Sequence, residues 1–440
     1  MASRRSRLGE VNATGPDYKS FNATGVLQAA GLRTFVATSG TAARTALADA
    51  VAAAEQGTTA ALLLPTNVQH TEIDAPAATR RAVPAPRKPA APRAQAIAAA
   101  AEVLRASKKP IIVAGRGAHL AGAKEAIEAL AERSGALLIT TAKGKDMFRG
   151  HPFNLGILGS FSHSMARRMV DQADCAVVFG AGLNFLTMSF GASLPPVPLI
   201  QVDSSRANIG RYSHADVAVV GDAKLAAEAI LAALPPGSNA EQPFRSEEVR
   251  GMLAAFDIDT DFQPANTPRT VDMHSLGAAL NKLLPEQKNI VYDAGNFLGI
   301  LPYLSVPGPG HFKMTSEFAS IGLGFGTALG VAKGRPDIPT VLVIGDGGLL
   351  MTMGELETVV REDIPLVIIA DERLRLWRGT AFPAHAQPAG REIGLPGRRF
   401  RSQWRPRSGS RRGRSARWRT CTPRRPCCAA RKARCSWTAS

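Results

Sequence analysis

Apolar positions change period repeatedly along the chain, and the changes mark out its elements. A short β-like run at 34–37 is followed by an alanine-rich helical stretch at 41–55 and an apolar run at 60–64. This predicts one turn of an α/β layer, closed by Pro65-Thr66-Asn67. From 94 to 235 the alternation continues, with apolar runs at 110–114, 136–141, 175–179, 199–202 and 217–220 and helical patterns at 121–133 and 223–234. Strands that are apolar at every position are buried on both faces, which predicts a parallel sheet flanked by helices. A third unit of the same kind has strands at 289–292, 340–344 and 366–369. Pro/Ala/Arg-rich or polar stretches without periodicity separate the units. The expected division is therefore an α/β unit at 1–78, a linker at 79–93, a central Rossmann-like domain at 94–235, a linker at 236–268, a third α/β domain at 269–370 and a tail at 371–440.

Charge changes this picture only at the end of the chain. The net charge of +17 suggests a nucleic-acid partner, but residues 371–440 hold 19 of the 53 Lys and Arg and 3 of the 36 Asp and Glu, so the rest is near neutral. The tail also holds Trp377, Trp404, Trp418 and Trp437, and Cys421, Cys427, Cys428 and Cys435, leaving Cys175 as the body's single thiol. A thiol-poor body fits a reducing cytoplasm. The basic start runs into polar sequence rather than an apolar signal region, and no apolar run reaches the roughly 20 residues that span a bilayer. The expectation is a cytoplasmic protein with no membrane partner.

Two glycine-rich turns carry candidate chemistry. Gly115-Arg116-Gly117 follows a strand and opens a helix, but no acidic residue ends the next strand, which favours a structural βα turn over a nucleotide site. The run at 341–344 delivers Gly345-Asp346-Gly347-Gly348 to a helix start, with Leu350, Met353, Leu356 and Val360 at helical spacing beyond. Such a turn suits a diphosphate with Mg²⁺, since magnesium prefers hard oxygens shared with phosphates. A tight turn with a helix-capping aspartate is an equal reading of that segment alone.

A second glycine-rich run tips the balance. It reads Ala319-Ser320-Ile321-Gly322-Leu323-Gly324-Phe325-Gly326 and places Ile321 25 residues before Asp346. Together the segments resemble the cofactor domain of thiamine diphosphate-dependent enzymes of the acetolactate synthase-like group, whose Gly-Asp-Gly signature Gly345-Asp346-Gly347 matches. The resemblance implies three α/β units with parallel sheets, the outer two incomplete. It implies that Asp346 is a Mg²⁺ ligand, that the Gly347 and Gly348 backbone meets the diphosphate and that Ala319, Ser320 and Ile321 hold the aminopyrimidine. Asp293-Ala294-Gly295-Asn296 resembles the loop reaching the diphosphate from the other side, which makes Gly295 and Asn296 cofactor-binding candidates. The implied chemistry is decarboxylation and carboligation of a small 2-oxo acid by a homodimer or homotetramer. FAD is disfavoured, because the flavin-binding relatives' Phe-Asp-Asp-Arg-like stretch is replaced by Gly180-Ala181-Gly182-Leu183-Asn184-Phe185, and a non-flavin decarboxylase or lyase is the alternative.

The chain departs from the family pattern twice. The strand carrying the activating glutamate would lie before Met1; Glu10, Asp17, Asp49 and Glu55 read as solvated or turn positions, so no catalytic residue is assigned and impaired activity is expected. The family's second metal ligand, an asparagine, falls at Arg373, which cannot coordinate Mg²⁺; Asp371 or Glu372 could replace it only with a register shift. One codon choice for 371–379, read one base later, gives Met-Asn-Ala-Cys-Ala-Tyr-Gly-Ala, which resembles the family's asparagine and Tyr-Gly pair. The tail is thus read as a shifted frame in preference to a basic, tryptophan-bearing nucleic-acid arm.

Overall fold

The computed structural model describes residues 22–55, 58–73, 89–236, 243–268, 270–316 and 319–371. The expectations for Glu10, Asp17 and Arg373, for most of the first linker and for the tail beyond Asp371 lie outside the described residues. No helix among the described residues is long and apolar enough to cross a membrane.

Every strand in the three sheets pairs in parallel, as continuous apolar runs require. Arg33–Val36 (β1) pairs with Ala60–Leu63 (β2), and the helix Gly40–Glu55 connects them. The central sheet contains Pro110–Ala114 (β3), Leu137–Thr140 (β4), Asn154–Ile157 (β5), Cys175–Phe179 (β6), Leu199–Asp203 (β7) and Val217–Val220 (β8). Its order is β5-β4-β3-β6-β7-β8, so the direction of winding reverses between β3 and β6. The third sheet contains Asn289–Tyr292 (β9), Phe312–Met314 (β10), Thr340–Gly345 (β11) and Leu366–Asp371 (β12), in the order β10-β9-β11-β12.

Period-two alternation sorts the central strands into two cores. Ile112, Ala114, Leu138, Val177, Phe179, Ile200 and Val202 pack with the helices Ala94–Ala106, Lys124–Ser134 and Ala223–Ala233. Ile111, Val113, Leu137, Ile139, Ala176, Val178 and Leu199 face the other way, onto the helix Ser164–Val170 and onto Phe244 and Val249. In the third sheet Ile290, Tyr292, Val341 and Val343 form one face, and Val291, Leu342 and Ile344 the other, under the helix Leu323–Gly334. The Cys175 thiol is buried, and burial pushes its pKa up to about 12.

Three expectations need correction. The helix expected at 121–133 runs over Lys124–Ser134, because Gly122 adopts φ +60 and delays its start. The stretch 236–268 is not an aperiodic linker throughout: Ser246 caps the helix Glu247–Ala255 and Phe244 is 1% exposed. Arg245 fastens this segment to the central domain, donating from Nε to the Ala136 carbonyl at 2.9 Å and pairing with Glu132. The helical pattern at 349–361 is not one continuous helix. It divides at Thr352 into Asp346–Met351 and Leu356–Arg361, and Leu350, Met353, Leu356 and Val360 are exposed. Two short strands went unread: β5, whose Leu155 and Ile157 alternate with half-exposed positions, and three-residue β10.

If 243–255 is part of the central core, Phe244→Ala should cost about 3–5 kcal/mol, the usual range for emptying a buried aromatic site. Val360→Ala, at 80% exposed, should stay within about 0.5 kcal/mol of the parent. Urea unfolding of the full chain measures both, and equal effects would return 243–255 to the status of a linker.

Candidate functional site

The site lies at the carboxyl edge of the third sheet. β9 ends at Tyr292, and the next residue, Asp293, is fully buried. Its carboxylate accepts the Gly322 N–H at Oδ2 (2.7 Å) and the Gly324 N–H at Oδ1 (3.0 Å). A buried carboxylate is tolerable only when such donors replace water. Gly322 stands at φ +91, a left-handed conformation that favours glycine, and caps the helix Leu323–Gly334.

The Gly-Asp-Gly turn closes on the same carboxylate. A Cβ on Gly348 would collide with Asp293 Oδ2 and stand 3.2 Å from the Gly322 nitrogen, so only glycine fits there. Thr352 Oγ1 donates to the Gly348 carbonyl at 2.9 Å, the bond at which the following helix divides. One buried carboxylate therefore joins the end of β9, the start of a twelve-residue helix and the turn after β11.

Around this anchor the structure gathers several sequence-predicted residues. Asp346 is half-buried at the first position of its helix and accepts the Gly347 N–H at 2.8 Å. Gly295 and Asn296 follow β9, and the buried Phe297 ring passes 3.4 Å from the Cβ position of Gly345. The Gly295-Asn296 loop is thus beside Gly345-Asp346. Ala319 adopts φ +53, unusual for a residue with a Cβ; it and Ser320 are exposed, while Ile321 is half-buried beside Gly322. Asp371 ends β12 in register with Gly345, so a second carboxylate reaches the same edge. No group of three or more His, Cys, Asp or Glu side chains suited to a metal occurs among the described residues. In the first unit Glu55 is exposed at the end of its helix, and Asp49 is half-buried on the same helix.

The central sheet's own switch point is built differently. Gly117 donates to the Gly180 carbonyl at 2.9 Å, and a Cβ on Gly117 would lie 2.7 Å from the Gly180 Cα. Gly180, at φ +59, returns the approach against Gly117. These glycines serve backbone-to-backbone closure, in line with a structural βα turn.

Sequence reasoning assigned Asp293 to a loop touching the diphosphate and missed its part as the anchor. Its signal was an acid directly after a fully apolar strand in a chain with two glycine-rich turns to bind it. The bonds from Gly322 and Gly324 to Asp293 span 29 and 31 residues, Gly348 packs on the same carboxylate from farther still, and none of this has a local pattern.

Parallel sheets flanked by helices, with a glycine-lined carboxyl edge and two half-buried acids, define an α/β protein. The family description "Thiamine pyrophosphate enzyme, central domain" matches residues 97–230, and "Thiamine pyrophosphate enzyme, C-terminal TPP binding domain" matches residues 293–387. Together they cover just over half of the chain, and it belongs to the thiamine pyrophosphate-dependent enzyme family. A "Probable acetolactate synthase large subunit" of Methanocaldococcus jannaschii is 30% identical over 321 residues, which cover 70% of this chain and 54% of that protein. A "Sulfoacetaldehyde acetyltransferase" of Alcaligenes xylosoxydans xylosoxydans is 28% identical over 62% of this chain and 50% of its own length. A "Probable 2-ketoarginine decarboxylase AruI" of Pseudomonas aeruginosa is also 28% identical, over 66% and 50%. The chain spans about half the length of the curated relatives it matches. A solved structure of a thiamin diphosphate-dependent enzyme from Mycobacterium smegmatis shares the fold, with TM-score 0.59 and 22% identity over 80% of this chain and 65% of that one.

Replacing Asp293 tests the anchor. Hydrogen bonds to a charged group contribute about 1.5–3 kcal/mol each, so Asp293→Ala should destabilise the chain by about 3 kcal/mol or more. Asp293→Asn, which keeps one acceptor, should lose roughly half of that. Thermal unfolding of the full-length variants checks this, and a neutral Asp293→Ala would show that the three segments hold without the carboxylate.

Proposed function

We propose that this chain serves thiamine diphosphate- and Mg²⁺-dependent decarboxylation and carboligation of a small 2-oxo acid, of the acetolactate synthase type, in a cytoplasmic homo-oligomer. The carrying observation is the Asp293 anchor, which fixes two glycine turns beside an acid at an open sheet edge.

The residues fit the group. Magnesium shares its octahedron with phosphate oxygens and water, so one or two protein carboxylates suffice. Asp346 offers one, and Asp371 ends its strand at the same edge. The first turn after β11 presents backbone N–H groups that a helix leaves without internal partners. The Gly347 donor bonds to the Asp346 carboxylate, so metal binding by Asp346 would release it for phosphate. Gly295 and Asn296 would bound the diphosphate from the β9 side, and Ala319, Ser320 and Ile321 would back the aminopyrimidine. When bound, the cofactor supplies the electron sink on which 2-oxo acid decarboxylation depends. The residues identified here bind and orient it, and no proton-transferring role is assigned to any of them.

A second reading, a non-flavin decarboxylase or lyase, is favoured by the Gly117–Gly180 closure of the central switch point. Its product differs: pyruvate would yield an aldehyde rather than acetolactate.

Calorimetry on the full chain tests the cofactor reading. Thiamine diphosphate should bind with a dependence on Mg²⁺ that Asp346→Ala removes, and thiamine should bind at least roughly tenfold more weakly, a loss of about 1.4 kcal/mol. Equal affinity for thiamine and its diphosphate, or indifference to Asp346→Ala, would leave the glycine turn a purely structural feature.

A further inference from the structure

At the amino side of the third sheet, three side chains that can carry positive charge lie near a fourth, on a short helix of the central domain. Arg335, which follows the helix Leu323–Gly334, donates from Nη1 to the Gly310 carbonyl (3.1 Å) and to Asn289 Oδ1 (3.3 Å). His311 Nδ1 shares that Asn289 oxygen at 3.1 Å. Lys313 is the exposed residue of β10. His119 comes from the central domain, on the short helix Arg116–Leu120. A methyl group placed on Gly310 would stand 3.8 Å from Arg335 Nη2 and 3.9 Å from His119 Nε2, so one small tetrahedral group can reach both.

The cluster lacks compensating acid. Among the described residues none of His119, His311, Lys313 and Arg335 forms an ion pair with a carboxylate, although surface Lys and Arg elsewhere in the chain do, as in Lys333–Glu362 and Arg361–Glu357. Asp337, two positions beyond Arg335, is exposed and pairs with none of them. Burial, and then the Lys313 charge, hold the His119 imidazole below its ordinary pKa; burial and then Arg335 do the same to His311. No acid contributes to either shift. Like charges gathered without a counter-charge cost free energy that an anion would recover.

We propose that this junction binds a compact oxyanion of the phosphate class between His119 of the central domain and Arg335 of the third, with the positive charge of His311 and Lys313 alongside. Arg335 Nη1 is committed to Asn289 and Gly310, which orients the guanidinium and leaves Nη2 for the anion. The place is separate from the cofactor edge. Asn289 begins β9 and Gly310 precedes β10, whereas Asp293 and Asp346 follow the carboxyl ends of β9 and β11. The inference therefore stands apart from the proposed cofactor chemistry.

The test is a titration of the full chain with inorganic phosphate at constant ionic strength, chloride being the balancing ion, followed by NMR of the eight histidine imidazoles. Saturable upward pKa shifts are expected at two imidazoles, assigned to His119 and His311 by His119→Gln and His311→Gln. Lys313→Glu should weaken the phosphate response roughly fivefold or more, in line with a charge-assisted contact at a partly solvated site. Asp346→Ala should leave the response intact, and its loss in that variant would move phosphate to the cofactor edge and overturn the proposal. Absent shifts, an equal response to chloride, or indifference to Lys313→Glu would also overturn it. So would a response to oligoglutamate with none to phosphate, which would make the surface a contact for an acidic protein.

Discussion

The geometry of the candidate site depends on one buried carboxylate satisfied by two backbone donors. Asp293 has no exposed surface, and its side chain accepts the Gly322 and Gly324 N–H groups at the start of a twelve-residue helix. The helix macrodipole favours an acceptor at the same place. Because Gly348 also packs on Asp293 Oδ2, segments that are far apart in sequence are fixed to one point. Asp346, the Gly295-Asn296 loop and the Ala319–Ile321 turn inherit their relative placement from it.

The two large sheets obey the same parallel-sheet physics and use their carboxyl edges in opposite ways. In the central sheet, winding reverses between β3 and β6, the place where doubly wound folds open a crevice, but the Gly117 and Gly180 backbones close on each other there. In the third sheet the glycines surround an anchor below the edge, and Asp346, Ala319 and Ser320 stay within reach of solvent. Glycine is needed in both cases because backbone approaches backbone or a buried carboxylate too closely for a Cβ. A glycine-rich motif alone cannot distinguish a closed edge from an open one.

The central and third domains also meet through a partly buried polar contact. Lys145 is almost fully buried and pairs with Asp146 at 3.1 Å, and Asp146 Oδ2 accepts the Val306 N–H at 2.8 Å. Ile157 of the central domain joins the apolar core around Tyr292 and Phe312. Removing one partner of such a pair leaves an uncompensated buried charge, which makes the contact specific as well as cohesive. The Tyr292 hydroxyl is buried there without a hydrogen-bond partner among the described residues, and burial raises its pKa.

Local pattern by itself determined much of this architecture. Pro110–Ala114, Cys175–Phe179, Val217–Val220 and Asn289–Tyr292 fall where their apolar runs placed them, because a strand buried on both faces leaves a continuous signal. The two glycine-rich segments and Asp346 were legible because strand, turn and helix start follow one another in the chain. What depends on distant partners was not legible. Residues 243–255 read as a linker because their anchors are Phe244 in a core completed by other strands and Arg245 on Ala136, more than a hundred residues away. The helical spacing at 349–361 did not show that its apolar positions stay exposed or that the helix divides at Thr352, because periodicity records spacing and not what lies opposite. Asp293 could be read as an acid after a strand, but tertiary folding alone brought Gly322, Gly324 and Gly348 to it and turned a solvent-seeking charge into the anchor of the site.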